Sequence, residues 1–215
     1  MNKASSRGKM ALVHITFAVL CFALPVYSQD LSNLTERPKA IPPDASWGNK
    51  DYFNYYRGPR HESNLLYRVE KNHFNEKENF GAKFSSGKLD DALAELKYVL
   101  WVFPNHPNAL YFLGLIARLV NLPAVPIAYY QKALKLFPQH AITHAQFGAY
   151  LVDSGAAEAG ITKLKEAISK DAHLAVAYAW LVKAYEKSGQ PELARQAAAQ
   201  AREFGYRGMI HGKAE

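Results

Sequence analysis

The stretch AITHAQFGAYLVDSGAAEAGITKLKEAISKDAHL, residues 141–174, decides the fold. It reads as two apolar-periodic helical runs separated by a turn at Gly155. Moving outward by 34 residues in either direction repeats its pattern. Gly87, Asn121, Gly155 and Gly189 form one column, of residues that tolerate left-handed backbone at a turn. Ala92, Pro126, Gly160 and Ala194 form a column of compact side chains, and Val99, Ala133, Ala167 and Ala201 form another. Leu113, Phe147 and Leu181 form a large apolar column, followed by Gly114, Gly148 and Val182. Pro104 and Pro138 close the first two periods. Small residues belong where two helices cross closely, and large apolar residues fill the space between them.

Leu113-Gly114, Tyr130, Ala133 and Pro138 carry this spacing in one period. Phe147-Gly148, Leu164 and Ala167 carry it in the next, and Tyr178, Leu181, Tyr185, Gly189, Ala194 and Ala201 in the last. In these residues the chain resembles the tetratricopeptide repeat family over residues 73–206. The resemblance implies an all-α, right-handed α-solenoid of about four helix–turn–helix units, 73–106, 107–140, 141–174 and 175–206, with a tail at 207–215. The first unit is degenerate, since Phe80-Gly81 and Phe84 fit only if its internal turn is one residue shorter. The second carries Pro123 and Pro126 at the start of its second helix, where proline is tolerated. The fourth has Val182 in place of glycine. Its last helix, expected over Pro191 to Phe204, exposes Glu192, Arg195, Gln196, Gln200 and Arg202, as suits a terminal cap facing water.

The resemblance also implies a concave face lined by the first helix of each unit and used to bind protein partners. The repeat phase assigns Tyr111, Leu115 and Arg118 to that face in the second unit. Ile142, Ala145, Ala149 and Val152 belong to it in the third, and Val176, Ala179, Lys183 and Glu186 in the fourth. Phe112, Gln146 and Trp180 lie near its edge. This groove is apolar and small-chained at its middle and charged at its rim, a fit for an amphipathic helix or an extended apolar peptide. Some relatives grip a peptide carboxylate with Lys and Asn on successive first helices. Lys77 or Glu78, then Phe112, then Gln146 do not reproduce that clamp.

Residues 1–28 read as a cleaved export signal. Lys3, Arg7 and Lys9 precede an apolar run from Met10 to Pro25, with cleavage expected before Gln29. Removing it takes three of the 26 basic residues and leaves 23 against 19 acidic ones, a net of +4 that does not argue for nucleic acid. Cys21, the only cysteine, lies within this segment, so the mature chain has neither a disulfide framework nor a thiolate metal site. The expected location is the bacterial periplasm, with no stable membrane span after cleavage. Asn33-Leu34-Thr35 fits a glycosylation acceptor, of consequence only on a eukaryotic secretory route.

Residues 29–61 form an irregular, aromatic-rich strap, and 62–72 a helix leading into the first unit. Trp47, Tyr52, Phe53, Tyr55, Tyr56, Arg57 and Arg60 admit two readings. They cover the apolar end of the solenoid, or they dock a partner through the residue types favoured as interface anchors.

Candidate chemistry is sparse. Gly81 to Leu89 resembles a phosphate-binding loop but has five residues between its glycines, where the motif needs four, and Leu89 replaces the magnesium-holding hydroxyl. His140 and His144 share a helical face, but no third ligand follows, and His144 falls in the packing column of Leu110 and Tyr178. Glu76, Glu78, Asp90 and Asp91 are surface charges. No catalytic, metal or cofactor site is assigned. The expected function is a noncatalytic scaffold or adaptor for assembly of an envelope complex, with homo-oligomerisation left open. The alternatives are an obligate noncatalytic subunit of an envelope enzyme complex and a glycan or peptidoglycan binder stacking sugars on Tyr52, Tyr55 and Tyr56.

Overall fold

The computed structural model describes residues 35–75 and 77–210. The expected export signal, Cys21, Asn33, Leu34, Glu76 and residues 211–215 lie outside them. Among the described residues the regular structure is entirely helical. The helices are α1 (Tyr52–Tyr56), α2 (Leu65–His73), α3 (Phe80–Ser85), α4 (Leu89–Val102) and α5 (Pro107–Leu119). They continue with α6 (Ala124–Leu136), α7 (Ala141–Asp153), α8 (Ala157–Lys170), α9 (Ala175–Lys187) and α10 (Pro191–Glu203). None is long and apolar enough to cross a membrane.

From α3 onward the helices pack in successive antiparallel pairs. Each pair turns on a residue in the left-handed region: Gly87 at φ 76°, Asn121 at 54°, Gly155 at 90° and Gly189 at 69°. In every pair the first helix ends two residues before this position. Asn121 meets the same backbone demand because its short polar side chain tolerates that conformation. The repeat columns face inward. Ala92, Pro126, Gly160 and Ala194 are buried, as are Val99, Ala133, Ala167 and Ala201.

The tightest crossing joins α7 to α8. A Cβ on Gly160 would lie 2.7 Å from the Gly148 carbonyl oxygen and 2.4 Å from Val152 Cγ2. A Cβ on Gly148 would lie 2.8 Å from the Gly160 carbonyl oxygen. Two backbones in contact leave no room for side chains, so both positions are held to glycine. Gly114 does a different job, since the space beside it takes the Tyr150 ring of the next unit. Tyr150 Oη then donates to the Pro123 carbonyl at 2.9 Å, tying the third unit to the turn of the second.

The first pair corrects the expectation of a shortened turn. Its turn has the same spacing as the others, and the first helix is shortened instead, to six residues. Phe80 stands where the later units have Gly114 and Gly148, and a phenylalanine cannot pass through a close crossing. It stacks with Phe74 at 5.2 Å and meets Phe112 edge-on at 4.9 Å, filling a space the missing turns of helix would have closed.

The first helices α5, α7 and α9 touch from unit to unit, while α4, α6, α8 and α10 are spread more widely. The row of first helices is therefore the inside of the curve.

Candidate functional site: the inner groove and the strap

The inner row presents a floor of small side chains. Ala149 of α7 is half-buried, and Val152 and Ala179 are nearly covered. With Asp153, Trp180 and Lys183 they line one cavity of about 130 Å³. Ala145 has no exposed surface and belongs to the core beneath the groove. Ile142, Val176 and Leu115 are half-buried at its sides, and Glu186 is exposed at the rim. Tyr111 is 55% exposed and stands edge-on to Phe112, with ring centroids 5.5 Å apart. Phe112 itself points into the aromatic cluster of the first unit.

One rim is an ion-pair ladder across three units. Asp153 accepts from Arg118 Nη1 at 3.2 Å and pairs with Lys183 Nζ at 2.6 Å, while Lys187 Nζ donates to the Val152 carbonyl at 2.9 Å. Asp153 and Lys187 were not among the expected groove residues. They sit one residue beyond Val152 and Glu186, about 100° further round each helix, which takes them from the groove floor to its rim. Two residues past α10 also line this cavity, Tyr206 at the very end of the fourth unit and Met209 of the tail. The only sequence signal for them is Gly205, a helix-ending glycine that lets the chain reverse, with φ at 88°.

Most aromatic rings of the strap turn inward. Asn49 and Lys50 donate backbone N–H bonds to the carbonyls of Trp101 and Val102, at 3.0 and 2.7 Å. Trp47 meets Trp101 edge-on with centroids 6.3 Å apart. Asp51 caps α1 by accepting from the Phe53 N–H at 3.1 Å. Its carboxylate also accepts from Asn105 Nδ2 at 2.7 Å and bonds His140 Nε2 at 2.8 Å. Asn105 Oδ1 in turn accepts the Tyr52 N–H at 2.9 Å. One carboxylate thereby fastens the strap to the loops after the first and second units. Burial pushes the Asp51 pKa up, but the bonds from Asn105, His140 and the Phe53 amide together outweigh it and hold the carboxyl below its ordinary value.

Tyr52 is buried against His106, with centroids 4.7 Å apart, and burial pushes its phenol pKa up to about 12. Tyr55 packs edge-on against Phe103, and Phe53 stacks on His140 at 4.5 Å. Only Tyr56, Arg57 and Arg60 of the expected docking residues face outward, Tyr56 at 62% exposed. The stacking platform of Tyr52, Tyr55 and Tyr56 is therefore not present: one ring is buried, one is half-buried, and Tyr56, though exposed, stacks on Tyr52 at 5.4 Å. Their faces are spent on protein contacts.

His106, His140 and His144 serve packing. His106 is wholly buried; its Nδ1 accepts the Ala109 N–H and its Nε2 faces Glu70 at 3.2 Å, so the proton sits on Nε2. His140 and His144 diverge, the first to Asp51 and the second to the Pro138 carbonyl and Glu166. Burial holds the His144 pKa below its ordinary value, opposed by the Pro138 bond. Among the described residues no group of three or more His, Cys, Asp or Glu side chains could hold a metal ion.

No protein-family model and no curated protein matches the chain. Solved structures do. A crystal structure of MamA aligns at TM-score 0.46 and 22% identity, covering 65% of this chain and 84% of that one. A second MamA structure aligns at TM-score 0.47 and 20% identity over 70% of this chain and 82% of that one. YrrB, described as a TPR protein with an unusual peptide-binding site, aligns at TM-score 0.47 and 18% identity, covering 61% of this chain and 68% of that one. The helix pairs of this chain, turning at a 34-residue period and packed along one inner row, make its fold a tetratricopeptide-type α-solenoid.

Proposed function

We propose that this chain is an exported, noncatalytic scaffold of the bacterial periplasm that holds an apolar segment of a partner protein in its inner groove during assembly of an envelope complex. The observation that carries the reading is the groove floor. Ala149, Val152 and Ala179 are small enough to admit a backbone, Lys183 and Asp153 line the same cavity, and Arg118 pairs with Asp153 at its rim. An amphipathic helix or extended peptide buries apolar surface on such a floor and meets charges at the rim. The export signal read from residues 1–28 supports the location.

A photoreactive residue at Ala149 or Lys183 tests this in living cells, with Lys165 on the outer row as control. A discrete adduct at the groove positions, absent at Lys165, is the expected result. Identical adducts at all three positions, or none in the groove, would end the reading. Fractionation with N-terminal sequencing of the mature chain checks the location, and Gln29 is the expected first residue.

A further inference from the structure

We propose that residues 205–210 are a displaceable occupant of the fourth-unit end of the inner groove, so that the chain carries a competitor for its own binding site. The inference rests on the groove being the binding surface. Past α10, residues 205–210 fold back toward the groove. Gly205, at φ 88°, reverses the chain, and the Tyr206 N–H closes on the Ala201 carbonyl at 2.8 Å. Arg202 Nη1 then donates to the carbonyls of Tyr206 at 3.0 Å and Gly208 at 3.1 Å. This guanidinium aims the tail across the inner face rather than along the axis of α10. Gly208 passes close to the Tyr206 ring, where a Cβ would meet Oη at 2.7 Å, so the reversal has a defined shape.

The tail ends up on the groove. Tyr206 and Met209 complete the lining of the cavity formed by Ala149, Val152, Ala179 and Lys183. Ile210 packs against the core cluster that contains Ala145, Val152 and Leu181. The anchorage is light. Tyr206 and Ile210 are half-buried and Met209 is 94% exposed. A segment held by two half-buried side chains and one arginine opens far more readily than the helices beneath it. The tail also shows what the groove accepts: an aromatic residue followed four positions later by an aliphatic one. A partner segment of that composition displaces it.

A tethered tail faces the groove at an effective concentration of order millimolar, so it masks the site from a free peptide of the same sequence. The probe is therefore a fluorescein-labelled peptide of residues 204–210, followed by anisotropy. It is titrated into the full chain and into the full-length double variant Tyr206→Ala, Met209→Asp, with helix content checked by circular dichroism. Binding to the variant at least about tenfold tighter than to the unsubstituted chain is expected. Adding Ala149→Glu to that variant is expected to remove the gain. Equal affinity for both forms, no binding to either, or binding indifferent to Ala149→Glu overturns the proposal. Those outcomes leave the scaffold reading standing if the groove crosslinks are still found, whereas loss of the crosslinks with the peptide gain intact would fault the scaffold reading alone.

Discussion

Two glycines and one carboxylate set how sharply single residues matter here. The Gly148–Gly160 crossing brings backbone to within van der Waals contact of backbone, which no rotamer change can relieve. Gly160→Ala is expected to lower unfolding free energy by about 1–3 kcal/mol in urea titrations. Gly114→Ala should cost less, because its neighbour is a tyrosine ring that can shift. Asp51 makes the second case. Its carboxyl pKa, like that of Glu70, is depressed in the folded chain: burial raises each, and hydrogen bonds outweigh it, from Asn105 and His140 for Asp51 and from His106 and Arg60 for Glu70. A depressed acid contributes stability that is complete above its unfolded value, near 3.8 for Asp51, and is lost as pH falls through its folded value. Acid titration followed by Trp47 and Trp101 fluorescence should therefore show the strap loosening below pH 3.8, and Asp51→Ala should abolish that step. The left-handed turn residues were legible in the sequence because the demand on them is local. The Asp51 hub was not, because its partners Asn105 and His140 lie 54 and 89 residues away.

At the level of elements, sequence patterning carried α4 to α10 and lost accuracy wherever packing overrides it. Helical periodicity and the compact columns located the helix pairs, since each pair repeats the same local solution. The first unit broke the pattern because Phe80 fills space with an aromatic cluster instead of a helix crossing. The strap was legible only as a density of aromatics. Which rings face inward depends on the backbone pairing of Asn49 and Lys50 with the end of α4, and no local motif encodes that pairing. The strap's two faces therefore differ sharply in what they contribute. Tyr52→Ala, which empties a buried site against His106, is expected to cost about 3–5 kcal/mol in chemical denaturation, as other buried aromatic truncations do. Tyr56→Ala, on the open face but stacked on Tyr52 at 5.4 Å, is expected to cost only about 0.5–1.5 kcal/mol. A loss of binding in Tyr56→Ala while the chain stays fully folded would mark the outward edge of the strap as a second contact surface.

Across the whole molecule the core divides into two clusters that interleave on one helix. The first runs from the strap to Phe147, Tyr150 and Leu151; the second takes Ala145 and Val152 and continues to Ala197. A solenoid has only nearest-neighbour interfaces to make it cooperative, so the strength of this junction decides whether it melts as one body or two. Tyr150 is the residue that spans it. Its ring fills the space beside Gly114, lies 6.0 Å from Tyr130, and its hydroxyl reaches the Pro123 carbonyl, all on the second-unit side. Tyr150→Ala empties that socket while leaving the Gly148–Gly160 crossing and the packing of α9 on α10 untouched. The loss therefore falls on the coupling between units rather than on the units themselves. Native-state hydrogen exchange should then show amides of α8, α9 and α10 opening at a lower free energy than those of α4 and α5, with the two sets expected to open together in the unsubstituted chain. Uniform loss of protection across both halves would mean that the junction is held by the first-helix row as a whole. Phe147, stacked on Tyr130 at 5.1 Å, is the next residue on that row to truncate.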